Sequence, residues 1–377
     1  MTLADRMAAV NYRPSGFDYM RLSLAASVVT MHTVIVSYGQ LTEIAMWHSP
    51  LRPALRLILP MFFALSGFLV AGSLERCRTI GMFLGLRVIR IFPALTVEVV
   101  MSALVLGPIF TTLPLRQYFA GHEFHVYFLN VLGDIHYNLP GVFATNPFPR
   151  RINGQLWTVP FELYCYATLT VLALLGAVKR RWITPLGGLL LTIAYLVREH
   201  FQAGGVIPMV SGPLPGVMLV VCFIFGVSLF LYREKVVYSR VGGVAALLVS
   251  AVLVGYTPYG EYVAPAVIAY LTVALGLTNP RRLKVVQGAD YSYGLFLYGY
   301  PIQQTIAALG PWTHHWYLNA IGTLSIGTVV AAMSWHWVEK PASRLRHPLK
   351  AAEDWWIAHV RGPRLLQRAL GQGVQTD

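Results

Sequence analysis

Pro53-Ala-Leu-Arg-Leu-Ile-Leu-Pro-Met-Phe-Phe-Ala-Leu-Ser-Gly-Phe-Leu-Val-Ala-Gly-Ser-Leu74 carries one charge, Arg56, in 22 residues. As a helix this run rises about 33 Å, enough to cross the roughly 30 Å of bilayer hydrocarbon. Comparable apolar windows lie near 20–39, 86–110, 156–178, 182–197, 207–232, 241–256, 262–279, 290–310 and 316–338. Together they predict an all-α polytopic membrane protein with about ten transmembrane helices. A soluble domain of 377 residues would not combine 56% hydrophobic with only 12% charged residues. The stretch 111–155 interrupts the series, because its apolar run Phe124–Leu132 is too short to span. It reads as an external loop containing a re-entrant or interfacial piece.

The basic residues orient the bundle. With the N-terminus inside, 23 of the 29 Lys and Arg residues fall on the inner side, leaving Arg52, Arg56, Arg116, Arg150, Arg151 and Arg198 outside. Positive charge collects on the cytoplasmic side of membrane proteins, so both termini are expected in the cytoplasm. The same clustering accounts for the net charge of +13 without nucleic acid, whose binding needs basic residues spread along a solvated face. Cys77, Cys165 and Cys222 lie in or beside apolar segments and offer neither a disulfide framework nor a zinc spacing. The first apolar segment carries Arg21 and His32, unlike the core of a cleaved signal, so residues 1–16 are expected as a retained tail. Residues 1–339 read as one membrane domain. Residues 340–377 read as a short basic cytoplasmic tail, either laid along the inner membrane surface through Trp355 and Trp356 or solvated.

Ionisable side chains within spans are costly and therefore mark candidate sites. Arg21 and His32 are 11 residues apart, about 20° apart around a helix and about 16 Å apart along it. Two readings fit: an interfacial anchor with a satisfied core histidine, or a groove with a charge at its mouth and a proton-accepting base inside. Arg87 and Arg90 share a helix face, as bidentate phosphate capture requires and as orientation alone would also produce. Asn153-Gly-Gln-Leu-Trp-Thr-Val-Pro-Phe-Glu162 carries a carboxylate into the fourth span beside Trp157, Tyr164 and Tyr166, and Glu98 poses the same question in the third. Counted from the outer ends of their spans, His32 and Glu162 lie at similar depth, roughly 9 to 11 Å in, and are expected to meet. A carboxylate beside an imidazole fixes its tautomer and frees the other ring nitrogen to take a proton from an acceptor hydroxyl, with a transient acyl-histidine as the alternative. Phe62–Phe68, with Ser66 and Gly67 among aromatics, permits close helix approach or room for a ligand. Asp290–Gln304, which includes Tyr293 and Gln303, is rich enough in hydroxyls and amides to line a polar cavity. His122, His125, His314 and His315 form no metal-ligand pattern, and there is no Walker loop, dinucleotide fingerprint or Gly-x-Ser-x-Gly turn.

Together these segments resemble the acyltransferase 3 family of bacterial integral-membrane acyltransferases, over about Gly16 to Arg346. The family's Arg-x10-His signature is met by Arg21 and His32, its Arg-x-x-Arg by Arg87 and Arg90, and its Phe-Phe-x-Leu-Ser-Gly-Phe by Phe62 through Phe68. Asn153 through Glu162, Ser292 through Pro301 and Val338-Glu339-Lys340-Pro341 resemble its later motifs in order. The resemblance implies acetyl-coenzyme A or a related acyl donor and no permanently bound cofactor. It also implies a glycan acceptor (lipid-linked oligosaccharide, exopolysaccharide or lipopolysaccharide) and a place among the lipids of a bacterial inner membrane. On that footing His32 and Glu162 are the expected catalytic residues, and Arg21, Arg87 and Arg90 the expected donor-binding ones. Asn153, Gln155, Trp157, Tyr164, Ser66, Tyr293 and Gln303 are expected to bind the acceptor. Many relatives have a histidine within the segment here reading Leu297 to Pro301, and this chain does not. Some carry an external esterase-like domain, for which the residues after Glu339 are too few. Two competing readings are a glycan or lipid transporter, and an acyltransferase acting on a small molecule.

Overall fold

The structure, a computed structural model, describes residues 1–205, 209–210, 212, 214–283 and 288–360. Lys284, Arg361, Arg364 and Arg368, counted above on the inner side, lie outside the described residues. Within those residues all regular structure is helical, and the β features are two isolated bridges, Thr2 with Val237 and Thr111 with Val142. The apolar windows hold α1 Gly16–Tyr38, α2 Arg52–Arg76, α3 Ile80–Met101, α4 Val159–Leu174, α5 Ile183–Gln202, α6 Gly216–Leu231, α7 Arg240–Tyr256, α8 Pro265–Gly276, α9 Ser292–Ala307 and α10 Trp316–Ser334. α11 Arg346–Val360 follows. Among the described residues five helical stretches are long and apolar enough to cross a membrane: Gly16–Tyr38, Arg52–Arg76, Ile80–Phe110, Gly154–Leu174 and Trp316–His359. The chain is a helical membrane protein. α6, α7 and α8 are apolar but shorter, because the windows overran natural stops. α6 starts after Pro215, and Pro265 begins α8 anew after the separate turn Gly260–Val263.

Two groups of helices pack side by side. α2 lies against α6, α8 and α7, while α9 lies against α1 and α10. At the α2–α6 crossing Gly67 faces the carbonyl of Phe223 and Gly226 faces the carbonyl of Ala64, with no room for a Cβ at either. The small residues of Phe62–Phe68 therefore serve close approach. On the other side the Gln303 amide on α9 donates to the Val29 carbonyl on α1 at 2.7 Å, and Asn319 on α10 donates to the Gln303 carbonyl at 3.1 Å.

The segment 111–155 is a folded cap. Helix α3 passes through a π-turn at Ser102–Leu106, and the Tyr118 hydroxyl donates to the Ala103 carbonyl within it at 2.6 Å. Tyr118, Tyr127, Leu139, Val142, Phe143 and Ile152 are all buried in the main core. The short run Phe124–Leu132 is a helical turn at His122–Tyr127 followed by a 3-10 turn at Phe128–Leu132. At the opposite end of the bundle α11 docks on α3. Leu349 fills the space over Gly85, Thr79 donates to Glu353 at 2.6 Å, and Arg78 pairs with Asp354 at 2.8 Å.

Candidate active site

His32 opens onto a cavity of about 370 Å³ between α1, α2, the start of α4 and the cap. Its ring meets the ring of Tyr300 edge-on at 5.3 Å between centroids. Local structure builds the walls. α1 ends at Gly39 with φ 84°, a left-handed residue whose missing Cβ lets Pro147 of the cap approach. Gly154 lies against the Tyr300 ring at a distance that excludes any side chain. Gln155 donates to the Leu297 carbonyl at 2.6 Å, fixing α9 to the 3-10 turn Gly154–Thr158. Trp157 and Phe161 meet edge to face and line the same space, as do Trp47, Phe296, Glu43 and Arg151. Burial pushes the Glu43 carboxyl above the usual range, an effect that Arg151 partly opposes.

The arginines converge at the opposite end of α1. Asp290 Oδ2 accepts from Arg21 at 3.1 Å and from Arg90 at 2.6 Å, and the other arm of Arg90 reaches Glu339 at 3.0 Å. The Arg90 guanidinium lies over the Tyr293 ring at 5.2 Å, and the Tyr293 hydroxyl donates to the Ile91 carbonyl at 3.0 Å. Arg87 donates to Ser73 at 3.1 Å and lies over the rings of Phe83 and Tyr166 at 5.8 Å each, with Nε buried and unbonded. Among the described residues Arg87 has no carboxylate within ion-pair distance. Arg346, at the start of α11, comes within electrostatic reach of Arg87 and Arg90. Glu162 accepts from the Tyr166 hydroxyl at 2.6 Å and has Arg90 and Arg87 as its cationic neighbours.

His32 and Glu162 therefore do not pair, contrary to the expectation from depth. His32 has Arg151 as its charged neighbour, and its ring makes no hydrogen bond or ion pair among the described residues. The expected depth places the outer end of the fourth span at Leu156. The chain turns inward earlier: Asn153, Gln155 and Leu156 are already buried, and α4 begins at Val159 inside the protein. Glu162, one turn into α4, consequently belongs with the arginines.

Of the other expected residues, Gln155 and Trp157 line the cavity and Tyr293 joins the arginine network. Asn153 is fully buried away from it, donating to Glu98 at 2.7 Å and to the Tyr127 hydroxyl. Glu98 also accepts from Ser102 at 2.7 Å, so this carboxyl ties the cap to α3. Gln303 is likewise buried, joining α9 to α1. Tyr164 faces away from the bundle at 58% exposure, and Ser66 does not line the cavity. The segment that lacks the relatives' histidine supplies Tyr300 to the wall. Glu43, Arg151, Arg346 and the bridging acids join these sites only in the fold. Asp290 and Glu339 stood inside quoted motifs, but only the fold shows which arginines they neutralise.

A family model described as an acyltransferase domain matches residues 15–336. The chain is 30% identical to Nodulation protein 10 of Rhizobium leguminosarum bv. viciae over 325 residues, covering 77% of this chain and 83% of that protein. It is 27% identical to an O-acetyl transferase of Shigella phage Sf6 over 338 residues, covering 87% of this chain and 96% of that protein. No solved structure matches it. Glu339 and Arg346 lie beyond the stretch that the family model matches.

Proposed function

The chain belongs to the acyltransferase 3 family and is an acyltransferase, and we propose that it moves an acetyl group from cytoplasmic acetyl-coenzyme A to a sugar hydroxyl of a lipid-linked or exported glycan. In this reading it is an integral O-acetyltransferase of the bacterial inner membrane, crossing ten times with both termini inside. The bias of its Lys and Arg residues supports that orientation.

The observation that carries the reading is the division of labour along α1. Arg21 lies in the arginine network at one end and His32 faces the cavity at the other, about 16 Å apart by helical rise. The nucleotide phosphates of the donor bind at the arginines, where Arg87 and Arg346 are the guanidinium groups without a carboxylate partner among the described residues. Arg21 and Arg90 hold that end together through Asp290. The pantetheine arm runs along the Arg21–His32 face and brings the thioester to the cavity. There a ring nitrogen of His32 takes the proton of the acceptor hydroxyl as its oxygen attacks the thioester carbonyl carbon. The carbon–sulfur bond breaks, and coenzyme A leaves as the thiol once the proton is returned to sulfur. Gln155, Trp157 and Tyr300 shape the acceptor's side of the cavity.

The test uses purified protein in nanodiscs with acetyl-coenzyme A and a lipid-linked glycan extract as acceptor, reading free thiol released per minute. The wild type should consume the donor, and His32→Ala should lose most of that rate while remaining monodisperse. Glycan flux without donor consumption would establish a transporter instead.

A further inference from the structure

Arg151 is the cation of the cavity that the acyl-transfer scheme leaves unused, and the fold invests heavily in placing it. Gln304, fully buried on α9, donates to the carbonyls of Phe148 at 2.9 Å and of Arg151 at 2.7 Å. Asn146 in turn donates to the Gln304 side chain at 2.7 Å and to its carbonyl at 2.9 Å. The Ile152 amide donates to the Tyr137 carbonyl at 2.9 Å. The loop so held contains two non-glycine residues in the left-handed region, Phe143 with φ 50° and Arg150 with φ 65°. That conformation is unfavourable for residues with a Cβ and persists only where the surroundings enforce it.

The Arg151 guanidinium lies over the Tyr137 ring at 4.9 Å and the Phe148 ring at 5.2 Å. A cation–π contact is not a hydrogen bond and does not by itself use up the N–H donors. Arg151 is exposed, and among the described residues none of these groups meets a carboxylate or another hydrogen-bond acceptor. Glu43 lines the same cavity without forming an ion pair with Arg151, and burial holds its carboxyl above the usual range. A pre-positioned cation with free donors, in a cavity walled by Tyr137, Phe148, Trp157 and Tyr300, suits a sugar that carries its own negative charge.

We propose that Arg151 anchors an anionic group of the acceptor, a carboxylate or a phosphate, and so seats the sugar with a hydroxyl toward His32. This rests on the O-acetyltransferase reading for its function but not for the binding itself. The test is thermal unfolding of the full chain in nanodiscs with D-glucuronate, D-glucose 6-phosphate or D-glucose, at matched ionic strength. At least one charged sugar should raise the Tm saturably where glucose does not, and the larger of the two responses identifies the anion. Arg151→Ala should abolish that preference, Arg151→Lys should keep a smaller part of it, and Arg116→Ala, a cap arginine that does not line the cavity, should keep all of it. Equal responses to charged and neutral sugars, or an unchanged preference in Arg151→Ala, would overturn the proposal, as would equal loss in Arg116→Ala. Acetyl-coenzyme A consumption by the same preparation, supplied with a lipid-linked glycan extract as acceptor, separates the two claims. Anion binding through Arg151 in a chain that never consumes the donor supports the site and defeats the transferase reading.

Discussion

Because Glu162 shares its surroundings with Arg87 and Arg90 rather than with His32, the two residues should act on different steps. His32→Ala is expected to lower kcat by about 10²- to 10⁴-fold, the range for a lost general base. Glu162→Gln should act mainly on donor KM, and the losses in the double variant should multiply, as they do for uncoupled sites. Steady-state kinetics on the three variants checks this, and coincident losses would restore a coupled pair. The arginines divide in a similar way. Arg90→Ala breaks contacts to Asp290 and Glu339 and should lower stability by on the order of 2 kcal/mol, below the figure for a fully buried pair because Arg90 is partly exposed. Arg87→Ala should leave the Tm nearly unchanged and raise donor KM about tenfold, equivalent to about 1.4 kcal/mol. Glu43 offers a pH test. Its raised carboxyl contributes stability that is full below the ordinary glutamate value of 4.5 and is lost as pH rises through the folded value. Glu43→Gln should flatten the Tm profile over that interval. The candidate types were legible in the sequence because spacing puts Arg21 with His32 and Arg87 with Arg90 on shared faces. Their partners were not, since Asp290 lies 269 residues from Arg21 and no local pattern joins them.

Among the helices, close approach at the α2–α6 crossing is where sequence and packing agree most directly. A methyl at Gly67 would strike the Phe223 carbonyl and one at Gly226 the Ala64 carbonyl. Gly67→Ala and Gly226→Ala should each cost about 1–3 kcal/mol by overpacking, read as lost thermal stability of the folded, detergent-solubilised protein. The start of α4 shows the opposite case. Hydropathy sees Leu156 to Val178 as one span, but it cannot see that hydrogen bonds from Asn153 to Glu98 and from Gln155 to Leu297 pull the chain inward before the helix begins. The cap was hidden for a related reason. Its apolar residues are spread among turns, and they form a core only once Tyr118 and Tyr127 insert against α3.

At the scale of the whole molecule the apolar windows placed the helices, but five of the helical stretches meet the length and composition for crossing among the described residues. Topology is therefore a prediction in its own right. Cys77, Cys165 and Cys222 are buried, so a cysteine introduced at Asp134 or at Glu234 can be labelled against a quiet background. With an impermeant maleimide on intact cells, Asp134→Cys should react and Glu234→Cys should not until the membrane is opened. The claim that matters most is that the membrane domain itself carries acetyl from the inner face to a glycan through His32. Sealed inside-out vesicles containing the chain, given acetyl-coenzyme A labelled in its acetyl group, measure it directly. Label should appear on the glycan with the wild type and be reduced by at least about a hundredfold with His32→Ala. Equal labelling by both, or glycan movement with no acetyl incorporated, would contradict it.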